Sequence, residues 1–176
     1  MFNWIRRLVL NSIYRRLIKN SVEPKKIKSS KDLKNISVIL DHRLGVDKEH
    51  FKEIGNYFKI PIKNIRVVTF FQSKKQISKT VQGESYTPEN ISNLGVFNGF
   101  LTDFCNLSTD VLINYYDKDD INLKYLSARI NKKLSVGFST VDNELNDLII
   151  EVDARNVDIF VSECVKYLKI FFTFKK

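Results

Sequence analysis

The residues that staple or interrupt a fold are scarce in this chain: two cysteines, three prolines and six glycines in 176 residues. So little Gly and Pro excludes collagen-like and low-complexity classes. Two cysteines far apart, Cys105 and Cys164, both in apolar helical contexts, suit buried thiols in a reducing compartment better than a disulfide or a metal site. No run approaches the roughly eighteen apolar residues that a membrane-crossing helix needs. The GxSxG, HExxH and CxxC signatures are missing, and no Gly-rich phosphate loop follows the first expected strand. The early apolar run Leu8-Val9-Leu10 is too short for a secretory signal. No acidic residue precedes Glu23.

What is present is a globular composition, 43% apolar, 12% aromatic and 28% charged, with a net charge of +9. That excludes wholesale disorder and fits one core-forming domain. The charge is uneven. Residues 1–34 hold ten basic and two acidic side chains, whereas the remaining 142 hold nineteen and eighteen. A nearly neutral body therefore follows a basic arm, and such asymmetry points to an anionic partner for the arm. An Arg-rich, acid-free start also resembles a mitochondrial presequence.

Residues 2–19 lack Gly and Pro, which predicts a helix. Stepping 100° per residue separates two apolar stripes. Phe2, Trp4, Ile5, Leu8 and Val9 share one side of the first half. Leu10, Ile13, Tyr14, Leu17 and Ile18 lie nearly opposite in the second half. A straight helix cannot bury both against one surface, so either it kinks near residues 10–12 or one stripe docks on the body while the other meets something else. Trp4 and Phe2 beside Arg6 and Arg7 suit a membrane interface, and the same stripe suits a groove on a protein partner or on a second copy. Arg6, Arg7, Arg15, Arg16, Lys19, Lys25, Lys26 and Lys28 are the cations expected to meet an anionic surface, either the membrane or RNA and the ribosome. Residues 20–34, with Pro24 and many Lys and Ser, read as a linker. The expected division is a basic N-terminal helix and linker over 1–34 and an α/β domain over 35–176.

In the body, β-rich runs are expected at 36–40, 65–71, 111–116, 134–138 and 148–152, with short strands around 80–86. Helices are expected at about 48–59 with Asp47 as cap, from Phe100 to Leu107, from Asp119 or Asp120 to about 131, and at 157–172. Strands alternating with helices, several of them apolar nearly throughout, predict a small three-layer α/β domain of Rossmann-like or flavodoxin-like type with a mainly parallel sheet.

Ligands of such sheets gather beyond the strands' carboxyl ends. There the sequence places Asp41, His42 and Arg43 after the first strand and Asp117, Asp119 and Asp120 after the third clear one. A carboxylate, an imidazole and a guanidinium suit acid–base work or a phosphate grip, although neighbours on a strand point to opposite faces. Asp41, His42, Arg43 and Asp117 are thus the candidates of an enzyme or ligand-binding reading. The three aspartates could hold a hard cation, but capping of the next helix accounts for at least one. No metal and no cofactor is expected.

The segments Asp110-Val-Leu-Ile-Asn-Tyr-Tyr116, Leu123-Lys-Tyr-Leu126, Val136-Gly-Phe138 and Asn146-Asp-Leu-Ile-Ile150 occur with a basic first helix and a closing Tyr167-Leu168 helix. Together they resemble an uncharacterised family of small proteins from Bacteroidota, a domain of unknown function. The resemblance covers most of the chain and rests on core-strand pattern. It implies a bacterial cytoplasmic protein and brings no catalytic residues. The leading expectation is a non-enzymatic interaction protein, cytoplasmic or peripheral at the inner membrane face, whose arm carries the association.

Overall fold

The computed structural model describes residues 3–21, 32–77 and 84–172. Six strands form one sheet: β1 (Ile36–Asp41), β2 (Ile65–Phe70), β3 (Glu84–Tyr86), β4 (Thr109–Tyr115), β5 (Lys132–Phe138) and β6 (Leu148–Ile150). Their order is β3-β2-β1-β4-β5-β6 and every pairing is parallel. This is the strand order of the doubly wound dinucleotide-binding fold rather than the flavodoxin order. The chain builds outward from β1 to β3, returns, and builds the other way from β4, so the reversal lies between β1 and β4. Those two central strands are buried along their whole length. Burial on both faces is why they read as mostly apolar runs instead of alternating ones.

Two cores flank the sheet. One unites Val38, Leu40, Ile113 and Val136 with Phe51 and Ile54 of α2 (His50–Phe58) and with Phe160, Cys164 and Leu168 of α5 (Val157–Phe171). The other face carries Ile39, Val68, Phe70 and Leu112. It is covered by Leu101 and Phe104 of α3 (Phe100–Asn106), by Leu123 and Leu126 of α4 (Ile121–Arg129), and by Leu10, Tyr14 and Ile18 of α1 (Asn3–Ser21). Between β5 and β6 no helix intervenes, and Val141 and Leu145 of the connection fill the second core directly. The first helix is thus part of a core layer, lying along α4.

One local expectation shifts. Asp47 accepts the Glu49 amide at 3.0 Å, but it holds a turn, because α2 starts only at His50. Of the two candidates before α4, Asp120 is the cap, accepting the Asn122 amide at 2.9 Å. Tyr115 and Tyr116 are both fully buried, the first donating to the Ala154 carbonyl at 2.6 Å. Cys105 and Cys164 pack on opposite faces of the sheet as free thiols, and burial pushes each up to about 12. No described helix is long and apolar enough to cross a membrane.

Candidate functional site

Nineteen residues without Gly, Pro or acid make α1 a single unbroken helix, about 28 Å long at 1.5 Å per residue. The helix does not break near residues 10–12; instead one stripe docks. Leu10, Tyr14 and Ile18 recur every four residues and are buried, with Ile13 and Leu17 packed beside them. Polar contacts lock this register. The Tyr14 hydroxyl donates to Asp142 at 2.8 Å, and the Lys124 ammonium, itself paired with Asp119, sits 4.9 Å from the Tyr14 ring centroid. Burial, then the bond to Asp142, pushes the Tyr14 hydroxyl well above its ordinary range.

The first stripe has no such cover. Trp4 is 63% exposed, Leu8 58% and Ile5 40%; Val9 is half-buried. Arg7, Arg15, Arg16 and Lys19 are exposed and have no ion-pair partner among the described residues. At 100° per residue, Trp4, Leu8, Arg15 and Lys19 fall within one narrow arc, with Ile5 and Arg16 along its edge. The free face of the helix is therefore apolar over its first two turns and cationic over its last two. Phe2, Lys25, Lys26 and Lys28, expected to extend this surface, lie outside the described residues.

Arg6 differs from the other cations. Its guanidinium turns inward, donating to the carbonyls of Pro88 at 2.9 Å and Ile91 at 3.3 Å and to the Asn122 side chain at 2.7 Å. Burial lowers its proton affinity, against the opposing pull of Asp120. Arg6 is a strut joining α1 to the body.

The carboxyl ends of the strands hold a second constellation. The chain leaves β1 in a tight turn in which Asp41 accepts the Arg43 amide at 3.0 Å and its Nε at 2.9 Å. The guanidinium lies 2.6 Å from the other Asp41 oxygen and 3.4 Å from Asp120. Asp41 is buried, and its bond to Arg43 raises the proton affinity of the guanidinium. Asp120 in turn accepts the Asn122 side-chain amide at 2.9 Å, and Asn122 accepts from Arg6. One relay of charge-assisted bonds thus runs from the end of β1, across the β1–β4 reversal, to the first helix. It lies at the carboxyl ends of the central strands, where open sheets of this order bind ligands.

Of the four expected strand-end residues, Arg43 is bonded to Asp41 and shares a cleft with Asp117. His42 is exposed, with its ring 4.2 Å from that of Phe71. That cleft, of about 520 Å³, is lined by Asp117 with Arg43, Thr140, Asp153 and Arg155. One of the Asp117 carboxylate oxygens is buried without a hydrogen-bond partner among the described residues. Of the three aspartates weighed as cation ligands, Asp119 is taken by Lys124 and Asp120 by the cap and Arg43. His50 meets Asp158 at 3.0 Å on the far side of the sheet.

The first helix's contacts explain why a sequence match should include it, and it does. A family model, described as a family of unknown function (DUF6913), matches residues 6–171. No curated protein and no solved structure matches the chain. By extent of match, from the inward-turned Arg6 to the last turn of α5, the chain belongs to DUF6913, a family of unknown function.

Proposed function

We propose that this protein is a peripheral binding protein whose α/β body is held at an anionic phospholipid surface, the inner face of the membrane, by the free face of α1. The observation that carries this reading is the division of labour along one helix. Leu10, Tyr14 and Ile18 are consumed by the protein's own core, while Trp4, Ile5 and Leu8 face water with Arg15, Arg16 and Lys19 behind them on the same face. An indole and aliphatic chains suit the headgroup–acyl boundary, and each Lys or Arg near an anionic leaflet adds about 1 kcal/mol. RNA bound through phosphates would leave the large apolar groups in water. Self-association through this face would oppose the cations of one α1 to those of another, on a helix that holds no acid.

The test is co-sedimentation with phosphatidylcholine vesicles with and without phosphatidylglycerol. Removing residues 1–20 is the wrong perturbation, because it strips Leu10, Tyr14 and Ile18 from the second core. Trp4→Ser with Leu8→Ser alters only the free face. Binding that requires the anionic lipid, falls with salt and is lost in this variant supports the reading; equal binding by the variant ends it.

A second reading rests on Asp117. A carboxylate oxygen buried and unbonded, in a cleft at the carboxyl ends of the strands, suits a small ligand carrying an amine or hydroxyl donor. Such a ligand would raise the melting temperature of the native protein and leave that of Asp117→Ala unchanged.

A further inference from the structure

A groove of about 1210 Å³ follows α1 from Arg7 to Lys19. One side of it is the helix, with Arg7, Leu8, Arg15 and Lys19. The other side is the body, with Asp119 and Lys124 around the start of α4 and Asp142 and Glu144 in the connection from β5 to β6. The bond from the Tyr14 hydroxyl to Asp142 at 2.8 Å fastens the two sides together, so the groove is already formed in the free protein. Leu8, Arg15 and Lys19 belong both to this lining and to the free face of α1. The groove therefore opens on the surface that the membrane reading turns toward the bilayer.

Its charges are unevenly engaged. Lys124 is paired with Asp119, and Asp142 accepts the Glu144 amide at 3.1 Å besides the Tyr14 hydroxyl. Arg7, Arg15 and Lys19 have no ion-pair partner among the described residues, and neither has the exposed Glu144 side chain. With four cations and three carboxylates, the lining holds one net positive charge. A patch that met the membrane by charge alone would gain nothing from carboxylates among its cations, because each weakens the pull on an anionic leaflet. Here they suit a ligand whose phosphate meets the helix side and whose hydroxyls meet the body side. Guanidinium groups take phosphate oxygens, whereas a carboxylate accepts hydroxyl donors and repels a second anion.

Resting on the membrane reading above, we infer that this groove is a headgroup site for a glycerol-bearing phosphodiester lipid, of which phosphatidylglycerol is the simplest. The phosphodiester lies against Arg7 and Arg15. The glycerol hydroxyls donate to Glu144 and to the remaining lone pairs of Asp142, and the acyl chains leave past Leu8 toward the apolar turns of α1. The single negative charge of that headgroup matches the excess in the groove. Phosphatidic acid brings a more highly charged phosphate toward Glu144 and no glycerol to satisfy it. Phosphatidylethanolamine offers the carboxylates an ammonium but leaves the cationic excess unmatched.

The experiment measures partitioning of the full chain onto phosphatidylcholine vesicles containing an equal mole fraction of phosphatidylglycerol, phosphatidic acid or phosphatidylethanolamine. Glycerophosphorylglycerol, the same headgroup without acyl chains, is the soluble arm, read by thermal melting. Charge alone ranks phosphatidic acid at least level with phosphatidylglycerol. The groove should reverse that order by about tenfold, the effect of one hydrogen bond to a charged group. Glu144→Gln should bring the two lipids close to equality, and Arg7→Gln should weaken binding to phosphatidylglycerol severalfold; both positions are exposed, and matching circular-dichroism melts confirm the fold. Equal or stronger binding to phosphatidic acid, or a preference that Glu144→Gln leaves unchanged, overturns the headgroup site and leaves the membrane reading standing. Binding to none of the vesicles, or equal binding to phosphatidylethanolamine, overturns both. Stabilisation by glycerophosphorylglycerol without vesicle binding also overturns both, and assigns the groove to a soluble phosphodiester.

Discussion

Leu8 and Leu10 are two residues apart on the same helix, and truncating each to alanine removes the same atoms. Only their surroundings differ: Leu10 is fully buried in the second core, and Leu8 lies on the free face. Helix propensity favours alanine slightly at both positions and so cancels. Leu10→Ala loses the transfer free energy of the side chain and leaves a cavity in the second core, for about 2–5 kcal/mol. Leu8→Ala should stay within about 0.5 kcal/mol of the native protein. For a chain of this size a loss of about 3 kcal/mol lowers the melting temperature by roughly 6–12 °C. Urea unfolding followed by circular dichroism reads the difference, and vesicle partitioning read on the same samples should reverse the ranking, with Leu8→Ala weakened and folded Leu10→Ala unaffected. Equal destabilisation by the two substitutions would refute the assignment of opposite faces.

Three further outcomes follow from the same contacts. Arg43→Ala leaves the buried Asp41 carboxylate without its cation and should destabilise by about 2–3 kcal/mol in urea, less than for a fully buried pair because Arg43 is partly exposed; adding Asp41→Asn should recover part of the loss. Gly137→Ala drives a methyl into the Asn146 side chain, which holds the buried Asn114 amide, and should lower stability by about 1–3 kcal/mol in the same assay. Burial pushes the Cys105 and Cys164 thiols up to about 12, so the unfolded chain releases those protons first. Their contribution is fully present below pH 9 and is lost as the pH rises toward 12, and buried Tyr14, Tyr86 and Tyr116 act in the same direction. Chemical denaturation across that window should show a steadily falling stability, and a flat profile would contradict the burial of these groups.

The layered fold was legible because its central strands and its helices have opposite periodicities. β1 and β4 are short, mostly apolar and rich in β-branched residues, and α5 repeats apolar residues at helical spacing, so each element declared its type. Strand order was not legible, since nothing local distinguishes a chain that returns beside β1 from one that continues outward. The two stripes of α1 could be read from a helical wheel, but not which of them docks; that depends on Lys124, Asp119 and Asp142, which arrive from distant parts of the chain. The same holds for Arg6. Its neighbour Arg7 is chemically identical and exposed, and only the carbonyls of Pro88 and Ile91 single Arg6 out.

Because the chain has a single tryptophan, and Trp4 stands on the free face of α1, its emission reports on that face alone. Titrating the protein with phosphatidylcholine–phosphatidylglycerol vesicles should shift the Trp4 emission to the blue and shield it from aqueous quencher. Pure phosphatidylcholine should do so far less, and added salt should weaken the effect of the anionic vesicles. An emission spectrum that stays that of a water-exposed indole at saturating anionic lipid would contradict the claim that this helix face is meant for a membrane.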